Sequence, residues 1–366
     1  MIFRQTYLEN ARTLVDAGES TTDLSIKDPC TVLWVRFQAT NGANPNFYYP
    51  LHRCIQAIEI IDGAKVLYSL DGAQAWALAC AQLGQAPLQR FSALGGDAQT
   101  CEIPIMFGRY WGDREFAFDP TKFVNPQLRV RWNLAVTRAV GIAGFLTGSM
   151  RLTVIPELME GAPTPRALLM AKQHYSWTTA VGTEYIDMPR DYPYQAMMFR
   201  AALVAHHPYE SISRLKLSCD ASKVVPLDLA TEDLIHLMML REPKLTYRIS
   251  DSLMNGDTFY SYLEELEDVS LNPEGNDDTV LGYFNYEYGS RLVSVFTAGV
   301  ARVAVVNVGA HVHGYCPFGY IHVPFGDPAI PNDWLQAPMF GSVRLEMTGA
   351  HAGAAANLVL VQELPY

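Results

Sequence analysis

The sequence predicts an all-β protein made of two similar sandwich or jelly-roll domains. Three observations lead there. Short segments of apolar alternation, bounded by turn residues, run through most of the 366 residues. Helical patterns are few and short, and no sustained alternation of strand and helix points to a parallel sheet. A strand–turn–strand–helix unit is also written twice, at Cys54–Leu78 and at Ile212–Leu237. The length suits two domains of roughly 150–200 residues each. The signals divide the chain into a helical arm over residues 1–22, a first β domain over 23–163 and a second over 164–366.

The arm comes first. In residues 3–16 (FRQTYLENARTLVD), Phe3, Tyr7, Leu8, Ala11, Leu14 and Val15 fall on one side of a helix. It precedes every strand signal, so it packs on its own domain or reaches a neighbouring subunit or a membrane surface. Thr31–Gln38 is a strand, and Asn41-Gly42 a turn. In the first copy of the unit, Ile58 and Ile60 mark a buried face. Asp62-Gly63-Ala64 is the turn, Lys65–Leu70 the return strand, and Asp71 the N-cap of a helix running through Trp76 and Leu78. Further strands are predicted at Glu102–Phe107, where Pro104 suits an edge, and at Arg114–Phe118. Phe123–Leu134 is a turn and strand with Leu128, Val130 and Trp132 on one face, and Gly148–Leu158 closes the half. Gly161–Pro165 (GAPTP) reads as the linker.

The second half predicts strands at Glu184–Met188 and Gln195–Ala205, a turn at His206-His207-Pro208, and the second copy of the unit. A long polar insertion follows, with Asn272–Asp278 as an exposed acidic loop tip. Val303–His313, Tyr320–Val323, Ser342–Met347 and Asn357–Leu364 are the remaining strands.

The two copies align in detail. Ile58 and Ile60 match Leu215 and Leu217, while Asp62, Lys65 and Val66 match Asp220, Lys223 and Val224. The offset changes from 157 to 158, which one extra residue near Ser218-Cys219 explains as a bulge. The helices correspond as Gly72–Gly84 and Ala230–Arg241. Asn125–Trp132 pairs with Phe340–Met347, and Leu152–Leu158 with Leu358–Leu364. Shared order in both halves argues for a duplication.

Composition excludes several functions. A net charge of −11 and a pI near 5.3, with no Lys/Arg run, argue against a nucleic-acid surface. The six cysteines form no CxxC pair and no zinc spacing, and read as reduced, small apolar residues of a protein made in a cytosol. No secretory signal and no span of roughly 18 apolar residues is visible.

Two tandem β domains with a repeated strand–turn–strand–helix unit, and the run IPIMFGRYWGDREFAFDPTKFVNPQLRVRW, resemble the double jelly-roll major capsid proteins of tailless icosahedral viruses, especially phages with an internal membrane. The resemblance covers residues 23–366. It implies two upright eight-stranded jelly rolls, a few short helices and an N-terminal helix under the shell. It also implies a homotrimeric, pseudo-hexagonal capsomer that tiles a virion. The implied partners are other copies, neighbouring capsomers, vertex (penton) and minor capsid proteins, and an internal lipid membrane met by residues 3–16. No direct nucleic-acid contact and no enzymatic activity are implied.

Candidate chemistry is sparse. His311-Val-His313 sets two imidazoles on one strand face, and His322 offers a third, which invites a cupin reading. That family's pattern wants a Glu soon after the His pair, and Tyr315–Tyr320 holds none. Glu264-Glu265 and Glu267-Asp268 are paired carboxylates on one short segment, read as a solvated helix face rather than a glycosidase cleft. No nucleophile motif, P-loop or GxGxxG occurs. Phe47-Tyr48-Tyr49 and Tyr283–Tyr288 could stack on sugars or anchor an interface. No catalytic, cofactor-binding or metal-binding residue is therefore assigned. The alternative function is a carbohydrate-binding or carbohydrate-active β-sandwich.

Overall fold

The computed structural model describes residues 2–42, 50–92, 95–138, 144–203, 206–254, 258–263, 265–274, 280–287, 290–297 and 305–366. In the first half the order is β1 (Ile2–Gln5), β2 (Glu9–Thr13), β3 (Ala17–Asp23), β4 (Cys30–Thr40), β5 (Ile55–Asp62), β6 (Lys65–Leu70), α1 (Gly72–Leu83), β7 (Gln89–Ser92), β8 (Ala98–Met106), β9 (Pro126–Asn133) and β10 (Arg151–Glu160). One sheet places β10 between β4 and the β1–β2 pair, with β8 beyond β4; the facing sheet runs β3-β9-β5-β6. Period-2 patterning explains the packing. Along β4, Leu33, Val35, Phe37 and Ala39 are buried, while Trp34, Arg36 and Gln38 are only half-buried.

The second half repeats the plan. It comprises β11 (Ala167–Thr178), β12 (Gly182–Asp187), β13 (Tyr194–Ala202), a single turn α2 (Pro208–Ser211), β14 (Ile212–Cys219), β15 (Val224–Ala230) and α3 (Thr231–Arg241). An insertion follows, with β16 (Leu245–Met254), β17 (Thr258–Leu263), β18 (Glu265–Glu274), β19 (Val280–Glu287), β20 (Ser290–Thr297) and β21 (Val305–Pro317). β22 (Ile321–Pro324), β23 (Val343–Gly349) and β24 (Ala355–Pro365) complete it. The sheets are β11-β24-β13-β22 and β12-β23-β14-β15, the same order as in the first half. With β1–β2 counted as one interrupted strand, each half is an eight-stranded jelly roll.

The repeated unit holds in its particulars. Asp62 Oδ1 accepts the amides of Val124 and Asn125, and Asp220 Oδ1 accepts those of Gly341 and Ser342. Each Asp thus ties its β-turn to the loop entering β9 or β23. The bulge expected at Ser218-Cys219 is not what lengthens the second copy. Both hairpins carry an irregularity with the extra residue on the return strand, between Ile60 and Ile61 and between Leu217 and Cys219, and the second copy's additional residues lie in its turn, Asp220–Lys223 against Gly63-Ala64. Two pairings differ from the sequence reading. Leu70 corresponds to Leu229, so α1 and α3 match from Gly72 and Thr231 rather than from Gly72 and Ala230. The other lies in β9 and β23. Leu128 lies opposite Ile60, and Leu345 opposite Leu217, so Leu128 corresponds to Leu345 rather than Val343. The slip is two residues, which leaves every side chain on its expected face and is invisible to a period-2 pattern.

The helix expected over residues 3–16 is not formed. The segment instead forms β1 and β2, paired along β10, and its intervening residues add backbone bonds from Leu8 N to Val154 O and from Leu14 N to Met150 O. The open edge of β10 offers a row of backbone partners, and that tertiary pairing outweighs a weak helical preference. The apolar residues then divide between two sides: Leu14 is buried and Leu8 packs on the core, while Phe3, Tyr7 and Val15 are exposed.

Candidate assembly surfaces

The two jelly rolls meet edge to edge. β6 and β11 run parallel, with Tyr68 opposite Ala171 and Ser69 opposite Lys172. The second sheet of the first domain therefore continues into the first sheet of the second, an unbroken eight-stranded sheet. α1 lies beneath this joint. Asp71 caps it by accepting Gln74 N at 2.7 Å, and Asp71 N donates in return to Gln74 Oε1 at 3.0 Å. Gly72 is obligatory there, since a Cβ would sit 2.2 Å from His52 O. The Gln74 side-chain amide donates to Gln173 on β11. Trp76 and Leu78 share one apolar cluster with Met198, Val359 and Val361 of the second domain. Such an apolar joint holds the two domains as a unit.

A polar latch reinforces it. Arg109 bonds Asp113 through two nitrogens, at 2.6 and 2.9 Å, and donates to Ala329 O of the second domain at 3.0 Å. Burial pushes the Asp113 carboxyl up, but the Arg109 guanidinium and the amides of Glu115 and Arg109 outweigh it and hold it below the usual range. Phe116 lies under the guanidinium groups of both Arg109 and Arg166, each 4.6 Å from its ring centre, and meets Trp334 edge-on at 5.6 Å. Tyr366, the last residue of the sequence, donates to Ala117 O and accepts Asp119 N, both at 2.7 Å.

The opposite flanks are open. β15 ends its sheet, and β1–β2 end theirs. Val224 and Val225 on β15 are exposed, as are Leu237 and Leu240 on α3. A groove of about 1370 Å³ runs between α3 and the loop after β22. Its wall holds His322, whose Nδ1 is 2.6 Å from Glu242 Oε1.

The residues singled out in the sequence scatter. His311 and His313 lie on β21 with ring centres 6.4 Å apart, and His313 Nδ1 is 2.9 Å from Thr246 Oγ1. His322 sits on β22 with Glu242, not with that pair. Among the described residues no group of three or more His, Cys, Asp or Glu is arranged to hold a metal ion. His206 lies against His351, with ring centres 4.4 Å apart, and 3.3 Å from Glu210. Glu265, Glu267 and Asp268 belong to β18, so the helix face expected there is a strand. Glu264, Phe47-Tyr48-Tyr49 and the tip 275–278 lie outside the described residues, and Tyr283–Tyr286 belong to β19. All six cysteines are buried free thiols, and burial pushes that of Cys54 up to about 12. No described helix is long and apolar enough to cross a membrane.

No protein-family model matches the sequence, and no curated protein matches it. Solved structures do match. The chain is similar to the major capsid protein of bacteriophage PM2 at 11% identity and TM-score 0.56, covering 100% of this chain and 97% of that one. It is similar to the STIV (Sulfolobus Turreted Icosahedral Virus) capsid protein at 8% identity and TM-score 0.59, covering 99% and 96%. It is also similar to the capsid of virus PBCV-1 at 10% identity and TM-score 0.58, covering 99% and 93%. Along its whole length, the chain has the double jelly-roll fold found in these viral capsids.

Proposed function

We propose that this chain is the major capsid protein of an icosahedral virion, three copies of which close into a pseudo-hexagonal capsomer. The observation that carries the reading is the joint of two jelly rolls of identical strand order through β6 and β11, with matching edges open at either flank. Two similar domains per chain and three chains per ring give six similar sides, the symmetry a hexagonal tile needs. The shared fold with the capsid proteins of PM2, STIV and PBCV-1 supports it. Because β1, β2 and β3 complete the sheets of the first jelly roll, residues 1–22 belong to it rather than to a separate arm, and 1–163 and 164–366 serve as the working division into two jelly rolls.

The protein resides in the virion shell after synthesis in a host cytoplasm. Its partners are other copies, neighbouring capsomers, and vertex and minor capsid proteins. Contact with an internal membrane, if made by the N-terminus, falls to exposed Ile2 and Phe3 on an edge strand. No catalysis or cofactor is proposed. The carbohydrate alternative gains nothing from the arrangement of the described aromatic residues. Light scattering on the purified protein, followed by electron microscopy, tests the reading. A trimer that associates into shells or sheets is expected. A monomer that binds oligosaccharides overturns it.

A further inference from the structure

We propose that copies join through β15 and α3 of one and the β1–β2 edge of the next, in the register with which β6 meets β11 inside the chain. The inference rests on the capsomer reading and assigns its contact residues. The register follows from the internal repeat. Arg12 lies opposite Leu152 and Glu9 opposite Val154; Tyr175 lies opposite Leu358 and Lys172 opposite Leu360. Both strands carry a one-residue irregularity at this same step. Glu9 therefore corresponds to Lys172, Leu8 to Ala171 and Asn10 to Gln173. On the other flank, the pairs Ile58–Leu70 and Ile60–Tyr68 match Leu215–Leu229 and Leu217–Leu227. Tyr68 and Ser69 thus correspond to Leu227 and Asp228, and Gln74, third in its helix, to Asp233.

Transferring the internal joint to the open flanks sets Leu227 opposite Leu8 and Asp228 opposite Glu9. The Asn10 amide then meets Asp233 as Gln173 meets Gln74. Both strands run in the same direction within their jelly rolls, as the parallel template requires. Asn10 and Asp233 are exposed, so the contact is free to form. Each facing carboxylate brings its own guanidinium: Arg12 on Glu9 at 2.7 Å, and Arg214 on Asp228 at 2.7 and 2.8 Å. Pro226 has no N–H to offer, which confines the new ladder to the residues after it. The internal ladder is equally short, two residue pairs. The contact uses different patches on its two sides, and a heterologous contact repeated about a three-fold axis closes into a ring.

Cysteine pairing tests this in the full-length protein, because every native cysteine is buried. Parallel neighbours lie within disulfide reach, since Cα atoms about 4.4–6.8 Å apart can be bridged. Glu9→Cys combined with Asp228→Cys, oxidised with diamide, is expected to give covalent dimers and trimers on a non-reducing gel, and neither single variant should. Ser69→Cys with Lys172→Cys is the internal control and should cross-link without a change in chain number. A charge test runs beside it. Asn10→Asp should weaken trimer formation about tenfold by facing Asp233, and adding Asp233→Asn should restore it. Trimers that form normally but neither cross-link nor respond to Asn10→Asp overturn this interface and leave the capsomer reading standing. A protein that stays monomeric at all concentrations overturns both.

Discussion

α1 and α3 occupy the same place in two jelly rolls and meet different surroundings. α1 (GAQAWALACAQL) buries most of its circumference, from Gly72 and Gln74 through Cys80. α3 (TEDLIHLMMLR) buries only Thr231, Leu234, Ile235 and Met238. The composition follows the surroundings. A helix enclosed on all sides is apolar or small all round, whereas one with an open face keeps charge there. The second jelly roll closes over α1, and nothing in the described chain closes over α3. The same unit therefore serves as an interior joint in one domain and as an open flank in the other.

Core truncations at equivalent positions sharpen the comparison most strongly. Trp76 and Ile235 correspond, and both are buried. Trp76→Ala should destabilise by about 4 kcal/mol and Ile235→Ala by about 3 kcal/mol, read from urea unfolding. Trp76→Ala should also loosen the joint, so that limited proteolysis cuts between the domains. Ile235→Ala should leave that joint intact. Equal cutting in both variants would break the distinction.

Next comes the latch. Asp113 is fully buried and Arg109 nearly so, with a side-chain exposure of 8%. Asp113→Ala leaves the guanidinium uncompensated and should cost about 3 kcal/mol. The exposed pair Arg214–Asp228, on the open flank, should lose about 0.5 kcal/mol on Asp228→Ala. The sign of the pH effect follows from the direction of the shift. Asp113 is held below its unfolded pKa, so its stabilisation is complete above about pH 4 and is lost as pH falls through its lower folded value. A urea midpoint measured from pH 5 downward should fall more steeply in wild type than in Asp113→Ala.

The turn carboxylates give a smaller effect that should match between domains. Asp62 and Asp220 each accept two backbone amides. Either Asp→Asn variant should cost about 1 kcal/mol. Unequal losses in thermal melts would show that the two carboxylates make the same pair of bonds with different energetics, as their turns of unequal length allow.

Much of this architecture was legible because it is written in period-2 patterns and turn chemistry. Ile58, Ile60, Leu215 and Leu217 announce their faces, and Asp62-Gly63 announces its turn. The joint was not legible, for a physical reason. β11 opens ALLMA, apolar on both faces because it is covered by both domains, and such a run shows neither helical nor strand period. β1 and β2 were hidden by the opposite problem. Their residues, apolar Ile2 and Phe3 included, are largely exposed and have no buried face to display, and only the edge of β10 makes them strands. Arg109 and Asp113 are four positions apart, but Trp334 is 225 positions from Arg109 and reaches the latch only in three dimensions, so no spacing rule could have joined the two domains there.

The smallest effect tests the comparison at its finest grain, the helix caps. α1 starts at Asp71, with both bonds of a capping box, whereas α3 starts at Ala230, which has no side-chain acceptor. Asp71→Ala should cost about 1 kcal/mol, near the middle of the range for such caps. Burial works against a larger loss, because it pushes the Asp71 carboxyl up and makes its anion costly to keep. The converse change supplies what α3 lacks. Ser suits position 230 better than Asp, since Glu232 and Asp233 already place two negative charges in the first turn. Ala230 is exposed, so a hydroxyl there keeps its hydration and still reaches the third amide of the helix. Ala230→Ser should stabilise by about 0.5 kcal/mol in urea unfolding of the dissociated protein. A neutral result, set against a measurable loss in Asp71→Ala, would mean that the cap matters only where the helix end is buried. The two units would then differ in energetics at their first residue as well as along their open face.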